Sequence, residues 1–230
     1  MRVVARFNGR NGEISVIEEV ATGARYYHEA GVFQSYVLPG GQPGLAYVRL
    51  MTALLAGGKN VLLVGCGGGA LATMLYRLGR SVTVIDDNPI SFELARQFFW
   101  MPRGIRCIAA GMREFLSRGG CHFDAIGVDV GGPSCSYEDV LDHAACARLR
   151  AALHGAGRIA VNIACDRAED PAPDRIGATL ESEELDVWLY EERPLAGRNV
   201  VILASTETEH RTSLRAHAER GWRLRRRTAV

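Results

Sequence analysis

Apolar positions change their spacing several times along the chain, and each change marks an element. Up to Leu38 they come in short β-compatible runs at residues 3–7, 13–20, 24–28 and 31–38. Turn-rich stretches such as Asn8-Gly9-Arg10-Asn11-Gly12 and Thr22-Gly23 separate the runs, so a small antiparallel sheet is predicted. Pro39-Gly40-Gly41-Gln42-Pro43-Gly44 then breaks the chain. From Leu45 the spacing turns helical: Leu45, Val48, Met51 and Leu55 share one face, and Gly57-Gly58 ends it.

A regular alternation follows. Strands are predicted at 61–64, 81–85, 105–109, 123–128 and 158–163. Helices are predicted at 71–78, from Pro89 to about 99, at 112–117 and at 138–153. Short apolar runs alternating with helices specify an α/β fold, a Rossmann-like doubly wound and mostly parallel sheet preceded by the small N-terminal antiparallel β element. Residues 167–175, with Pro171 and Pro173, read as a loop able to act as a lid. A helix at 176–184 and a hairpin of 186–191 and 199–204, turning at 194–197, close the domain. The predicted division is 1–40 for the β element, 41–205 for the nucleoside-binding domain and 206–230 for a basic, solvated tail ending Arg223-Leu224-Arg225-Arg226-Arg227.

Composition narrows the function classes. The 230 residues are 47% hydrophobic, enough for one large core, and the net charge of +1 offers no general attraction to nucleic acid or membrane. Residues 1–11 show no secretory pattern, and no apolar run approaches the ~20 residues that span a bilayer. A cytoplasmic protein is expected. Six cysteines include no CxxC pair, which favours reduced thiols over a metal centre or disulfide framework. His122 and His143 are isolated in the sequence.

The candidate chemistry lies between Asn60 and Asp87. Gly65, Gly67 and Ala70 match G-x-G-x-x-G/A between a strand and a helix, with Gly69 in the same loop. Such glycines let the backbone turn tightly and approach a ligand, and the helix N-terminus adds free N–H groups. Asp86, at the end of the next strand, stands where a carboxylate can accept from ribose hydroxyls. Asp87 is adjacent and could take that place, but neighbours on a strand point to opposite sides. No Tyr-x-x-x-Lys pair accompanies the loop.

Residues 31–162 resemble the spermidine synthases (polyamine aminopropyltransferases), which share a fold with class I S-adenosylmethionine-dependent methyltransferases. The resemblance rests on Gly31-Val32-Phe33-Gln34, on Tyr47 in the first helix, on the VLLVGCGGG strand and loop, and on FDAIGVDVGGP at the fourth strand. Leu63 stands where methyltransferases commonly place an acid. The resemblance implies that Gln34 and Asp86 bind the adenosine part of S-adenosylmethionine or its decarboxylated form, and that Tyr47 and Asp129 orient and deprotonate a small acceptor, an amine among the candidates. A homodimer is compatible with it. Three acids of the family are glycines here, at Gly68, Gly111 and Gly132, and no P-T-Y-P counterpart is found. These losses keep two alternatives open: a methyltransferase, and a non-catalytic relative that binds a nucleoside or a partner.

Overall fold

The structure is a computed structural model that describes residues 1–131, 136–193, 197–209, 211–216 and 221–227. Gly132, Cys135 and most of the turn expected at 194–197 lie outside the described residues.

Two sheets divide the chain. The first joins β1 (Arg2–Gly9), β2 (Gly12–Glu19), β3 (Ala24–Glu29), β4 (Val32–Leu38) and the two-residue β5 (Gln42–Pro43) in sequential antiparallel order. Ile14, Val16, Tyr27 and Val37 bury one side of it in the main core, which makes it an integral wall of the molecule.

The second sheet is built from β6 (Asn60–Val64), β7 (Ser81–Asp86), β8 (Arg106–Ala109), β9 (Phe123–Val128), β10 (Leu153–Cys165), β11 (Asp186–Glu192), β12 (Arg198–Ser205) and β13 (Trp222–Arg225). Its order is β13-β11-β12-β10-β9-β6-β7-β8. The run from β10 to β8 is parallel, and β12 inserts antiparallel to β10. The central strands are nearly unbroken apolar runs because helices cover both faces. The helices are α1 (Ala46–Leu55), α2 (Ala70–Arg77), α3 (Ile90–Phe98), α4 (Met112–Ser117), α5 (Tyr137–Val140), α6 (His143–Ala151), α7 (Ala172–Glu181) and α8 (Arg211–Arg215). Leu54, Leu55, Leu63 and Leu75 centre one core layer. Leu62, Ile126, Leu149 and Ile159 centre the other. Chain order reverses between β6 and β9. In such sheets the crevice beyond the strand ends at that point receives the ligand.

Four expectations need correction. The helix expected at 138–153 is two helices: the Asp142 carboxylate accepts from the N–H of Ala145 and starts α6 afresh after the break at Leu141. β10 begins at Leu153, paired with Phe123, and passes an irregularity before Arg158 pairs with Ala125. Residues 172–175 are the first turn of α7, entered through Pro171, so the predicted lid loop is shorter than expected. The tail is not wholly solvated, since β13 adds to the main sheet beside β11 and buries Leu224. Arg225 bridges Asp174 at 2.7 Å and Glu191 at 2.9 Å, and Arg226 lies over the Trp188 ring. Charged residues suit an edge strand when their charges find partners. No described helix is long and apolar enough to cross a membrane.

Candidate functional site

The cleft opens where β6 and β9 end. Gly65 leaves β6 with φ +93°, and a Cβ there would lie 2.0 Å from the carbonyl oxygen of Asp129. The strand ends can touch only because residue 65 has no side chain. Gly67, at φ +48°, leaves room in the same way for the hydroxyl of Ser35, which would stand 2.5 Å from a Cβ. Gly69 adopts φ +68° and faces Met101 and Ala95. Its freedom from a side chain serves loop–helix packing. α2 starts at Gly69 with no side-chain cap and no acid in its first turn. Ala70, Leu71 and Ala72 of that turn line the cleft. The first N–H groups of a helix lack partners within it, so they are free to meet a ligand.

Asp86 closes the loop from β7. One carboxylate oxygen accepts from the N–H of Cys66 at 2.8 Å, and the other from the N–H of Asn88 at 2.8 Å. Each keeps a lone pair for a further donor. Burial raises the Asp86 carboxyl to about 6, against the pull of those two N–H donors. Asp87 points elsewhere, to Arg10 of the β1–β2 hairpin at 3.3 Å. Of the paired acids, only Asp86 meets the glycine loop. Cys66 lines the cleft, but burial holds its thiol well above the ordinary range, so it is no thiolate nucleophile.

Asp129 follows β9, and its N–H is held by the carbonyl of Val64 at 2.9 Å. The Tyr47 hydroxyl donates to one carboxylate oxygen at 3.1 Å, and the Asn162 amide donates to the other at 3.0 Å. Asp129 is half-buried and lines the cleft. Burial pushes the Asp129 carboxyl up, and the two donors pull it back. Tyr47 is itself buried, and burial together with the Asp129 charge keeps its hydroxyl protonated. Tyr47, from α1, and Asp129, expected as a pair, are thus in direct contact.

Asn162 was not singled out in the sequence. Its only signal is a polar residue inside the apolar run Ile159-Ala160-Val161-Asn162-Ile163. Ser35 was missed as well: its hydroxyl accepts from the N–H of Gly68 at 2.9 Å. Gln34 is partly exposed on β4, its amide oxygen 3.8 Å from where a Cβ on Gly131 would be. Trp100, just past the end of α3, packs under the Arg25 guanidinium. Among the described residues, no group of three or more His, Cys, Asp or Glu side chains is arranged to hold a metal ion.

The three glycines singled out in the sequence, Gly68, Gly111 and Gly132, are not equivalent. A Cβ on Gly68 would lie 2.9 Å from Val37, 3.1 Å from Phe99 and 3.2 Å from Ser35. Gly111, at the N-cap of α4, has nothing within 4 Å of that position. Gly132 lies outside the described residues.

No family model matches the chain. Over 92 residues it is 38% identical to a ubiquinone biosynthesis O-methyltransferase of Nitrosococcus oceani, covering 40% of this chain and 36% of that protein. Over 120 residues it is 30% identical to an eEF1A lysine and N-terminal methyltransferase homolog of Drosophila pseudoobscura, covering 46% of this chain and 18% of that one. The chain therefore spans well under half the length of these curated relatives. Among solved structures, a probable spermidine synthase of Corynebacterium glutamicum superposes with a TM-score of 0.84 at 14% identity, over 99% of this chain and 92% of that one. A 1,6-didemethyltoxoflavin-N1-methyltransferase of Burkholderia thailandensis gives 0.53 at 20% identity, over 71% and 79%. The fold is that of the class I S-adenosylmethionine-dependent methyltransferase superfamily, which spermidine synthases share.

Proposed function

We propose that the protein is a spermidine synthase-like transferase that binds S-adenosylmethionine or its decarboxylated form. It moves an alkyl group, aminopropyl or methyl, from the sulfonium to a small acceptor. The observation that carries this reading is the Asp129 carboxylate, held between Tyr47 and Asn162 against the glycine loop.

In this reading Asp86 accepts from the ribose hydroxyls, and the loop and the first turn of α2 receive the rest of the nucleoside. The acceptor's lone pair attacks the carbon bonded to sulfur. The carbon–sulfur bond breaks, and its electrons stay on sulfur as a neutral thioether. The acceptor's proton passes to Asp129. Thioethers leave readily from sulfonium, so alignment and proton removal are what the protein must supply. Burial raises the proton affinity of Asp129, while Tyr47 and Asn162 fix its orientation.

Methyl transfer is the second reading, favoured by Gly68, which supplies no acid to hold a cationic aminopropyl end and whose Cβ position is crowded by Val37, Phe99 and Ser35. The test is to incubate the purified chain with each donor and a panel of small amines and hydroxyl compounds, then quantify thioether nucleoside against alkylated acceptor. Release of methylthioadenosine or S-adenosylhomocysteine in step with alkylated product is expected. Nucleoside binding without release from either donor would mark a non-catalytic relative and refute the reading.

A further inference from the structure

The net charge of +1 hides an uneven distribution. Residues 59–85 and 94–113 hold seven of the chain's 27 cationic side chains and none of its 26 acids. Three acids lie between the two stretches: Asp86 turns to the glycine loop, Asp87 to Arg10, and Glu93 sits in the first turn of α3. The two stretches meet where α2, β7 and β8 form the open edge of the main sheet. We propose that this corner is a binding surface for single-stranded nucleic acid, with Arg77, Arg80, Arg103 and Arg106 on its phosphates and Tyr76 under one of its bases.

The fold gathers these cations. Arg77 ends α2, and Arg80 leads into β7. Arg103 lies in the turn before β8, and Arg106 opens that strand opposite Thr83. Contact between Tyr76 and Gly104 joins the two connections. Elsewhere in the chain arginines find carboxylates: Arg25 reaches Glu18 at 3.1 Å, Arg158 reaches Glu209 at 3.1 Å, and Arg175 reaches Glu138 at 3.0 Å. The guanidinium groups of Arg77, Arg80, Arg103 and Arg106 have no such partner among the described residues. Arg77, Arg103 and Arg106 are exposed, and the Nε of Arg80 is buried and unpaired. Like charges gathered without an acid repel one another, and a chain of phosphates relieves that repulsion. The planar guanidinium also matches phosphate geometry.

An acidic peptide would satisfy the arginines alone, and Tyr76 decides between the two partners. A Cβ on Gly104 would lie 2.4 Å from the Tyr76 hydroxyl and 3.0 Å from the ring carbon that bears it. No left-handed φ calls for glycine at 104, so what this glycine supplies is the space in which Tyr76 lies against the turn. The residue stays 39% exposed there, among the four arginines. An aromatic ring fixed beside a row of cations is a stacking platform for an unpaired base. The surface is separate from the cleft. α2 carries the cleft at its first turn and this corner at its last, about 12 Å away along eight residues.

Fluorescence anisotropy of the full chain with a labelled single-stranded RNA of roughly 20 nucleotides, over a series of salt concentrations, tests this. For the unmodified protein, log affinity should fall against log salt with a slope of about −3, as four phosphate contacts on a single strand give. Arg103→Gln with Arg106→Gln should weaken binding at least about tenfold and flatten the slope by about 1.4. Arg103→Gln alone, at an exposed turn position, should flatten it by about half as much. Tyr76→Ala should weaken binding about fivefold or more at an unchanged slope, because stacking carries no charge. Circular dichroism reports that each variant is folded. Absence of RNA binding by the unmodified protein overturns the proposal. So does a polyglutamate peptide of equal length that competes as well as RNA, which would mark a surface for acidic peptides. A slope that responds to Arg223→Gln in β13 but not to the variants at 103 and 106 places the contact on the C-terminal strand and overturns it too. Tyr76→Ala without effect overturns the assignment to single strands.

Discussion

Single groups set the pH behaviour of the site. Asp86 titrates near 6 because its burial outweighs the N–H donors of Cys66 and Asn88. An acid raised in this way stabilises the native state relative to higher pH. Its contribution is present below ~4 and is lost as pH rises through about 6, on the order of 3 kcal/mol for this group alone. Ligand binding has the opposite slope, since ribose hydroxyls donate to the ionised carboxylate. Titration with S-adenosylhomocysteine is expected to give about tenfold weaker binding at pH 5 than at pH 8. A flat profile would remove Asp86 from the ribose contact. Asp86 was legible in the sequence because its strand and its spacing from the loop are local features. Ser35 and Asn162 were not legible, because each gains its role from a neighbour distant in the chain, Gly68 for one and Asp129 for the other. A serine on an edge-like strand and an asparagine in an apolar run carry no such information by themselves.

Elements decide which substitutions the site tolerates. Gly68 is enclosed by β4 and by Phe99, and Gly111 stands open at the start of α4. Gly68→Asp is therefore expected to cost about 2 kcal/mol or more, as overpacking with a buried charge does. Gly111→Asp should change stability by less than about 0.5 kcal/mol, since an aspartate there can cap the helix. Chemical denaturation of both variants checks this, and equal losses would contradict the packing account. Most elements were readable from periodicity. α1, β6, α2 and β7 fall within a residue of expectation because apolar spacing and glycine stops agree there. The break between α5 and α6 was hidden, because Leu141 continues the apolar pattern while Asp142 caps a new helix.

At the scale of the molecule, the C-terminal stretch belongs to the main sheet. Its arginines resemble a solvated tail in the sequence, because the acids that bind them come from α7 and β11. Removing residues 206–230 would leave Asp174 without the Arg225 bridge, uncover β11 and expose the pocket of Leu224. A loss of more than ~3 kcal/mol is expected, measured as a fall in Tm together with lower nucleoside affinity. An unchanged Tm would show that β13 is dispensable. The N-terminal sheet is coupled to the site as closely. Ser35 reaches the glycine loop, and Arg10 reaches Asp87. The folded chain therefore brings residues 35, 47, 68, 86, 129 and 162 into one region around the end of β6.

The most direct test of that assembly is Asp129→Asn, assayed for both nucleoside binding and turnover. The change keeps the side chain's shape and removes its ability to take a proton. Affinity for S-adenosylhomocysteine within about twofold of the unmodified protein, with turnover reduced at least about a hundredfold, is the predicted split. Turnover that persists undiminished would contradict the assignment of Asp129 as the proton acceptor.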